Sequence, residues 1–429
     1  MVILAFVVLS IGYGIFLLKN NFRFVSLFFL AMYSVSFLLP VIINIRFDYK
    51  FYLSDVYFDR LNLMYLIGLI IFIISNAMFN LTRTEKVNNS LLKPHILSKS
   101  SINKLFSIFV CLFLLMVLII GLEVIVNGTA ATLELPSILK IFQSITIVGL
   151  VYSALLKIYF SNNKKEVFLN IIIAIICILC VSLFIFGRRL ILYPLIAIVA
   201  LFIFKRNKTP SLFKLSMLAI VVITIVLPGM MSIRTLGFQE GVKNFAKILS
   251  GDYDQYLQYL SIGTDVTYSY SLAGIILASD IRITPITLLK PILSFIPRSI
   301  FPNKPQPISE AIVSHLNLDF NKGMSIPPGI VGESYLYGGF IGVIIIFILL
   351  GLLSGCLDNY LKYLRDQKNG VFSLNLIFIM IVSTQFISGT IRGDTATNIQ
   401  ESIYLFIPFL FFLIITRYKF VFSSRQQMK

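Results

Sequence analysis

Long apolar blocks, most close to twenty residues and free of charge, follow one another along this chain between short polar connections. They show neither the strict alternation of a half-buried strand nor the one-sided stripe of a soluble amphipathic helix. The blocks are Val2–Leu18, Phe24–Ile43, Leu61–Phe79, Leu105–Val126, Ile138–Tyr159, Val167–Phe186, Leu190–Phe204, Leu215–Met231, Leu336–Gly355, Val371–Gly389 and Tyr404–Thr416. A helix needs roughly 20 apolar residues to cross the hydrocarbon of a bilayer. Inside lipid it pairs every backbone N–H and C=O within one segment. The pattern therefore predicts an all-α polytopic membrane protein with about eleven transmembrane helices. Val2–Leu18 has no basic lead and no A-x-A site after it, so it is expected to be the first membrane helix rather than a cleaved signal peptide.

Composition agrees. Hydrophobic residues make up 58% of the 429 positions and charged residues 13%, against about a quarter charged in soluble domains. The net charge of +17 could suggest nucleic acid, but its distribution follows the positive-inside rule instead. With the N-terminus outside, the inner connections collect Lys19 and Arg23, the Arg83–Lys104 stretch, Lys157–Lys165, Lys205–Lys214, Lys362–Lys368 and Arg417–Lys429. The acids on that side are Glu85, Glu166, Asp358 and Asp366, and the outer side is then neutral overall. The opposite orientation would put every strongly basic loop outside. The expected topology is N-terminus outside and C-terminus cytoplasmic. Cys177 and Cys180 have C-x-x-C spacing without a second ligand pair, which reads as small-residue packing in a helix.

Three regions follow: residues 1–231 with helices one to eight, residues 232–329 as one long outer loop, and residues 330–429 with helices nine to eleven. The loop is rich in aromatic and aliphatic residues and holds eight of the fifteen prolines, so its backbone is stiffened. In Gly241–Leu260, Val242, Phe245, Ile248 and Leu249 have helical spacing. Ile283–Phe301 mixes apolar residues with Pro285, Pro291 and Pro297, a pattern for a broken segment at the membrane interface.

Candidate chemistry concentrates at the outer helix ends. Arg188, Arg189, Arg234, Arg298 and Arg392 would all lie near one membrane surface, where positive charge is normally avoided. Guanidinium forks match phosphate oxygens and stay charged at any working pH. The cluster suggests a phosphorylated lipid as ligand, against the plainer reading that each arginine snorkels or pairs locally, as Arg392 could with Asp394. Arg188 and Arg189 are adjacent, so a helix would not point both inward. Glu333 stands alone as an acid in Gly329-Ile330-Val331-Gly332-Glu333-Ser334-Tyr335-Leu336-Tyr337-Gly338-Gly339. It is a candidate general base or sugar-hydroxyl acceptor, or simply a partner of a helix dipole. His315 is the one histidine of the outer loop. Tyr253, Tyr256, Tyr259, Tyr268 and Tyr270 could stack on sugar rings or anchor the interface. No P-loop, HExxH or GxSxG pattern occurs. No cofactor, metal site or nucleic-acid partner is expected.

At Gly187-Arg188-Arg189, the late outer loop, Ile296-Pro297-Arg298 with Lys304-Pro305, Gly332-Glu333-Ser334-Tyr335 and Arg392-Gly393-Asp394, the chain resembles the Wzy family. These are the bacterial repeat-unit polymerases of O-antigen and capsule, related to O-antigen ligases. The motifs cover about a tenth of the chain; the architecture matches throughout. The resemblance implies a GT-C-like, inverting, metal-independent membrane glycosyltransferase in the bacterial cytoplasmic (inner) membrane. It implies an undecaprenyl-pyrophosphate-linked oligosaccharide as substrate, membrane lipid around it and a chain-length-regulating protein as partner. Arg188, Arg189, Arg234, Arg298, Lys304 and Arg392 would hold pyrophosphate, and Glu333, His315 and Asp394 are the candidate catalytic groups. A ligase keeps His315 in play. A lipid-linked oligosaccharide flippase is the alternative from another class.

Overall fold

The computed structural model describes residues 1–20, 22–47, 55–82, 99–120, 137–161, 163–184, 196–201, 238–250, 266–293, 308–316, 327–366 and 370–400. It also describes single positions between 217 and 236, at 256, 301 and 305, and within 402–410. Among these residues the chain is helical and contains no strand. The helices are α1 (Val2–Lys19), α2 (Phe24–Phe47), α3 (Asp55–Thr82), α4 (Lys99–Ile120), α5 (Ser137–Phe160), α6 (Lys164–Phe184), α7 (Phe238–Leu249), α8 (Val266–Ser279), α9 (Lys290–Leu293), α10 (Ile308–Leu316), α11 (Gly329–Asp366) and α12 (Gly370–Arg392). A 3-10 turn over Pro285–Leu289 leads into α9.

Six of these helices are long and apolar enough to cross a membrane: α1 to α4, α11 and α12. They realise the first four expected spans, the ninth and the tenth. The fifth and sixth blocks are the helices α5 and α6. The blocks at 190–204, 215–231 and 404–416 lie largely outside the described residues. Side-chain exposure supports lipid around the helices. In α1 the exposed face carries Leu4, Val8, Ile11 and Ile15, while the buried face carries Ser10 and Tyr13 beside Phe6 and Leu17. A helix apolar on its outer face belongs in hydrocarbon rather than water.

The chain forms two compact units. The first takes Met1–Glu85, Gly251–Asn359 and Gln385–Glu401. Its core is an aromatic stack running through α1, α2, α3, α8 and α11. Phe29 lies 4.0 Å from Phe72, Phe6 4.3 Å from Phe37, and Tyr33 meets Phe347 edge-on at 5.2 Å. Small residues allow the approach. A Cβ on Gly68 would lie 2.8 Å from the Phe347 ring, and Gly351 and Gly355 press α11 onto Ser75 and Phe79 of α3. Gly351-Leu-Leu-Ser-Gly355 is a GxxxG spacing, the pattern that lets membrane helices approach closely. Tyr13 donates to Asn76 Oδ1 at 2.6 Å, and Asn76 Nδ2 donates to the Gly351 carbonyl and to Ser26 Oγ, both at 2.9 Å. Asp358 closes this end, accepting from the Val25 and Ser26 backbone amides and the Ser26 hydroxyl. A carboxylate 332 residues away thus caps the orphan donors of α2.

The second unit takes Lys86–Ser250, Tyr360–Thr384 and Ser402–Lys429. Here α4 packs on α5 and α5 on α6. Gly149 of α5 leaves room for the Phe109 ring, Lys157 lies 4.5 Å over Phe106, and Lys99 pairs with Glu166.

Two features of the expected outer loop follow from the structure. The helical spacing after residue 240 is realised in α7. The stretch Val266–Ser279, which composition does not single out, is the buried helix α8 against α2 and α3. Its 14 residues are too few to span a bilayer and its Ser and Tyr content masks the pattern.

Candidate functional site

The site is built around a break in α11. Gly338 and Gly339 leave helical geometry, and Gly339 has φ +61°, a conformation L side chains rarely adopt. The result is a short half-helix over residues 329–337 followed by a long one. The break strands the last carbonyls of the first half, and the segment after α8 takes them up. Arg282 Nη1 donates to the Tyr335 carbonyl at 2.7 Å, and the Ile283 amide donates to the Leu336 carbonyl at 2.9 Å. Arg282 also pairs with Asp280 at 2.7 Å and lies 4.2 Å over the Tyr335 ring. A Cβ on Gly339 would lie 2.7 Å from that guanidinium.

At the other end of the half-helix two left-handed glycines meet. Gly393, φ +85°, ends α12, and a Cβ there would strike the backbone of Gly329, φ +70°. This contact brings the turn after α12 against α11. Asp394 then starts a new helix over residues 395–400, its carboxylate accepting from the Thr397 amide at 3.3 Å.

Glu333, one turn into α11, faces that helix start. It is 3% exposed. Its two oxygens accept from the Thr395 amide at 3.1 and 3.2 Å, and Oε2 accepts from the Thr395 hydroxyl at 2.7 Å. Tyr337, one turn further, donates to Oε1 at 3.3 Å. The Tyr337 hydroxyl lies 2.7 Å from Thr287 Oγ1, and Lys290, three residues on, donates to Thr397 Oγ1 at 2.8 Å. Segments 287–290, 333–337 and 394–397 therefore close into one polar ring holding one buried acid, with Lys290 half-buried at its edge and Arg392 at the adjacent helix end. Glu333 sits at a helix N-terminus, where a carboxylate complements the dipole, but the helix is that of Thr395 rather than its own.

The ring thus joins Glu333 and Asp394, with Arg392 next to it in sequence. It adds Thr287, Lys290, Tyr337, Thr395 and Thr397, which sequence reasoning had not assigned a role. A signal was present for two of them: Gly393-Asp394-Thr395-Ala396-Thr397 is a helix stop followed by an N-cap. His315 is exposed on α10, whose other side, Ile308 and Ile312, joins Leu272, Ile276 and Leu336 in a small core. Tyr270 does not face a ligand: it is fully buried, donating to Asn62 at 2.5 Å and 5.6 Å from the Tyr65 ring. Tyr268 is exposed. Arg188, Arg189, Arg234, Arg298 and Lys304 lie outside the described residues. Among the described residues no three His, Cys, Asp or Glu side chains converge as ligands for a metal.

No protein-family model, curated protein or solved structure matches the chain. The reading of the site therefore rests on its own chemistry: a buried acid, donors that position it, and cations from two other segments at one end of a helical membrane bundle.

Proposed function

We propose that the chain is a membrane glycosyltransferase that polymerises lipid-linked oligosaccharide repeat units into a surface polysaccharide. In this reading the N-terminus lies outside, and the Glu333 end of the first unit faces the outer side of the bacterial cytoplasmic membrane. The observation that carries the reading is the polar ring, in which Thr395, just after the Arg392–Asp394 turn, holds the buried Glu333 carboxylate and Lys290 joins the ring through Thr397. Breaks in membrane helices are tolerated where they line a cavity or a site.

The reaction joins two lipid-linked glycans. The acceptor hydroxyl attacks the anomeric carbon of the donor from the side opposite its pyrophosphate. The C1–O bond breaks, and undecaprenyl pyrophosphate leaves with both electrons. Fixed cations stabilise the charge growing on the leaving group; Arg392 belongs to that role, with Arg188 or Arg189, Arg234, Arg298 and Lys304 completing it. The acceptor proton goes to a carboxylate. Glu333 is the first candidate. For this step the Thr395 hydroxyl must rotate off Oε2, while the Thr395 amide continues to hold the carboxylate in place. Asp394 and His315 follow in order.

The test is glycan analysis of a deletion strain, with the same strain complemented by the wild-type chain as the control. Polymerase loss leaves single repeat units at the cell surface. Polymer stranded on the carrier lipid would instead mark a ligase, and repeat units that are never exported would mark a flippase; either result removes the polymerase reading.

A further inference from the structure

The helix α7 uses only half of its apolar face inside the protein. Gly241, Val242, Phe245, Ala246, Ile248 and Leu249 line one side at helical spacing, and Glu240, Lys243 and Lys247 line the other. The protein takes up one edge of the apolar side. Gly241 is buried, the Phe245 ring packs where a Cβ on Gly229 would lie at 3.2 Å, and Asn244 donates to Ser232 Oγ at 3.0 Å. The other edge stays open, with Val242 45% and Leu249 52% exposed and Ala246 exposed between them.

We infer that α7 lies in the plane of the membrane interface and that lipid covers the Val242–Ala246–Leu249 edge. Three observations select lipid over a protein partner. The open edge is not the exception in this part of the chain: Met217, Val221 and Ile225, four residues apart in the preceding segment, are exposed, and so is Leu236 between them and α7 in sequence. The three side chains offer far less than the roughly 800 Å² per partner that a stable protein interface buries. The polar side carries two lysines against one acid, Glu240, which Lys243 engages at 3.2 Å; this suits lipid phosphates at the headgroup level. The 12-residue helix is too short to span the bilayer and is strongly two-sided. It pins the beginning of the long 232–329 segment to the membrane surface.

The chain contains no tryptophan, so a single introduced indole reports one place. Val242→Trp, Leu249→Trp and Lys247→Trp are made in the full chain and reconstituted into phosphatidylcholine–phosphatidylglycerol vesicles, with or without acyl-chain-brominated lipid. Each variant is first checked as monodisperse. An interfacial apolar face sinks about 5–10 Å into the headgroup–acyl boundary, within reach of the bromines. Emission of Val242→Trp and Leu249→Trp should fall about twofold or more with brominated lipid, and Lys247→Trp should hardly change. Unquenched blue-shifted emission at both apolar positions would mean that protein covers the edge. Unquenched red-shifted emission would mean water, and equal quenching at all three positions would mean no in-plane orientation. Any of these results overturns the inference. The two apolar sites are independent, so misfolding of one variant leaves the other to decide.

Discussion

Replacement of Glu333 separates its structural work from its chemistry. The carboxylate accepts from the Thr395 amide, the Thr395 hydroxyl and the Tyr337 hydroxyl. Glu333→Ala leaves these donors buried without a partner at about 1–3 kcal/mol each, and it opens a void besides. With some relaxation the loss is about 3–6 kcal/mol, enough to lower the yield of folded protein. Glu333→Gln keeps the shape. Its carbonyl oxygen still accepts from the Thr395 amide, and the Thr395 hydroxyl can rotate to accept from the new NH2. What disappears is charge assistance, about 1–2 kcal/mol. Glutamine cannot take a proton, so polymerisation should fall about 100- to 10,000-fold, while binding of the lipid-linked unit survives. The assay is polymerisation of purified lipid-linked repeat units by the reconstituted chain, beside a binding measurement and a thermal melt. A glutamine variant that polymerises at the normal rate would show that Glu333 only holds the helix of Thr395. An alanine variant that melts like the wild type would refute the hydrogen-bond accounting itself.

Four further outcomes follow from particular residues. Gly339→Ala should lower stability by about 1–3 kcal/mol, since it combines φ +61° with a Cβ against Arg282; Gly12→Ala, helical and in open space, should shift the melt by no more than about 1 kcal/mol. Asp358→Ala removes the acceptor of two backbone amides and the Ser26 hydroxyl and should cost about 2–4 kcal/mol in the same melt; an unchanged melting temperature would contradict the cap. In a chain whose four native cysteines are replaced, Asn127→Cys and Asp254→Cys should react with an impermeant thiol reagent on intact spheroplasts, and Asn88→Cys should not; the reverse pattern would invert the topology. Arg298→Ala and Arg234→Ala should abolish polymer at normal protein level, with lysine replacements recovering little because a point charge cannot fork across two phosphate oxygens; full activity in both alanine variants would remove the pyrophosphate role.

Residue order by itself determined the solvent. The apolar blocks that became α1 to α4, α11 and α12 are long and, Glu123 apart, uncharged, and this is a local property: a segment of that length and composition partitions into hydrocarbon whatever it touches. The GxxxG of α11 and the N-cap after Gly393 are equally local signals. Glu333 was visible as an isolated acid for the same reason. Its surroundings were not, because hydrogen bonding in the site joins Thr287 to Tyr337 across 50 positions of chain and Thr395 to Glu333 across 62. No periodicity encodes such a meeting. It depends on two glycine backbones, Gly329 and Gly393, touching in three dimensions, and on Arg282 covering the break at Gly339. Tyr270 went the other way: composition grouped it with its tyrosine neighbours, and packing against Tyr65 and Asn62 placed it in the core. Sequence thus decided which segments enter the membrane, because transfer from water depends on each segment alone. Only tertiary structure decided which polar groups inside it face one another, because a buried donor takes whichever acceptor the packing brings within reach.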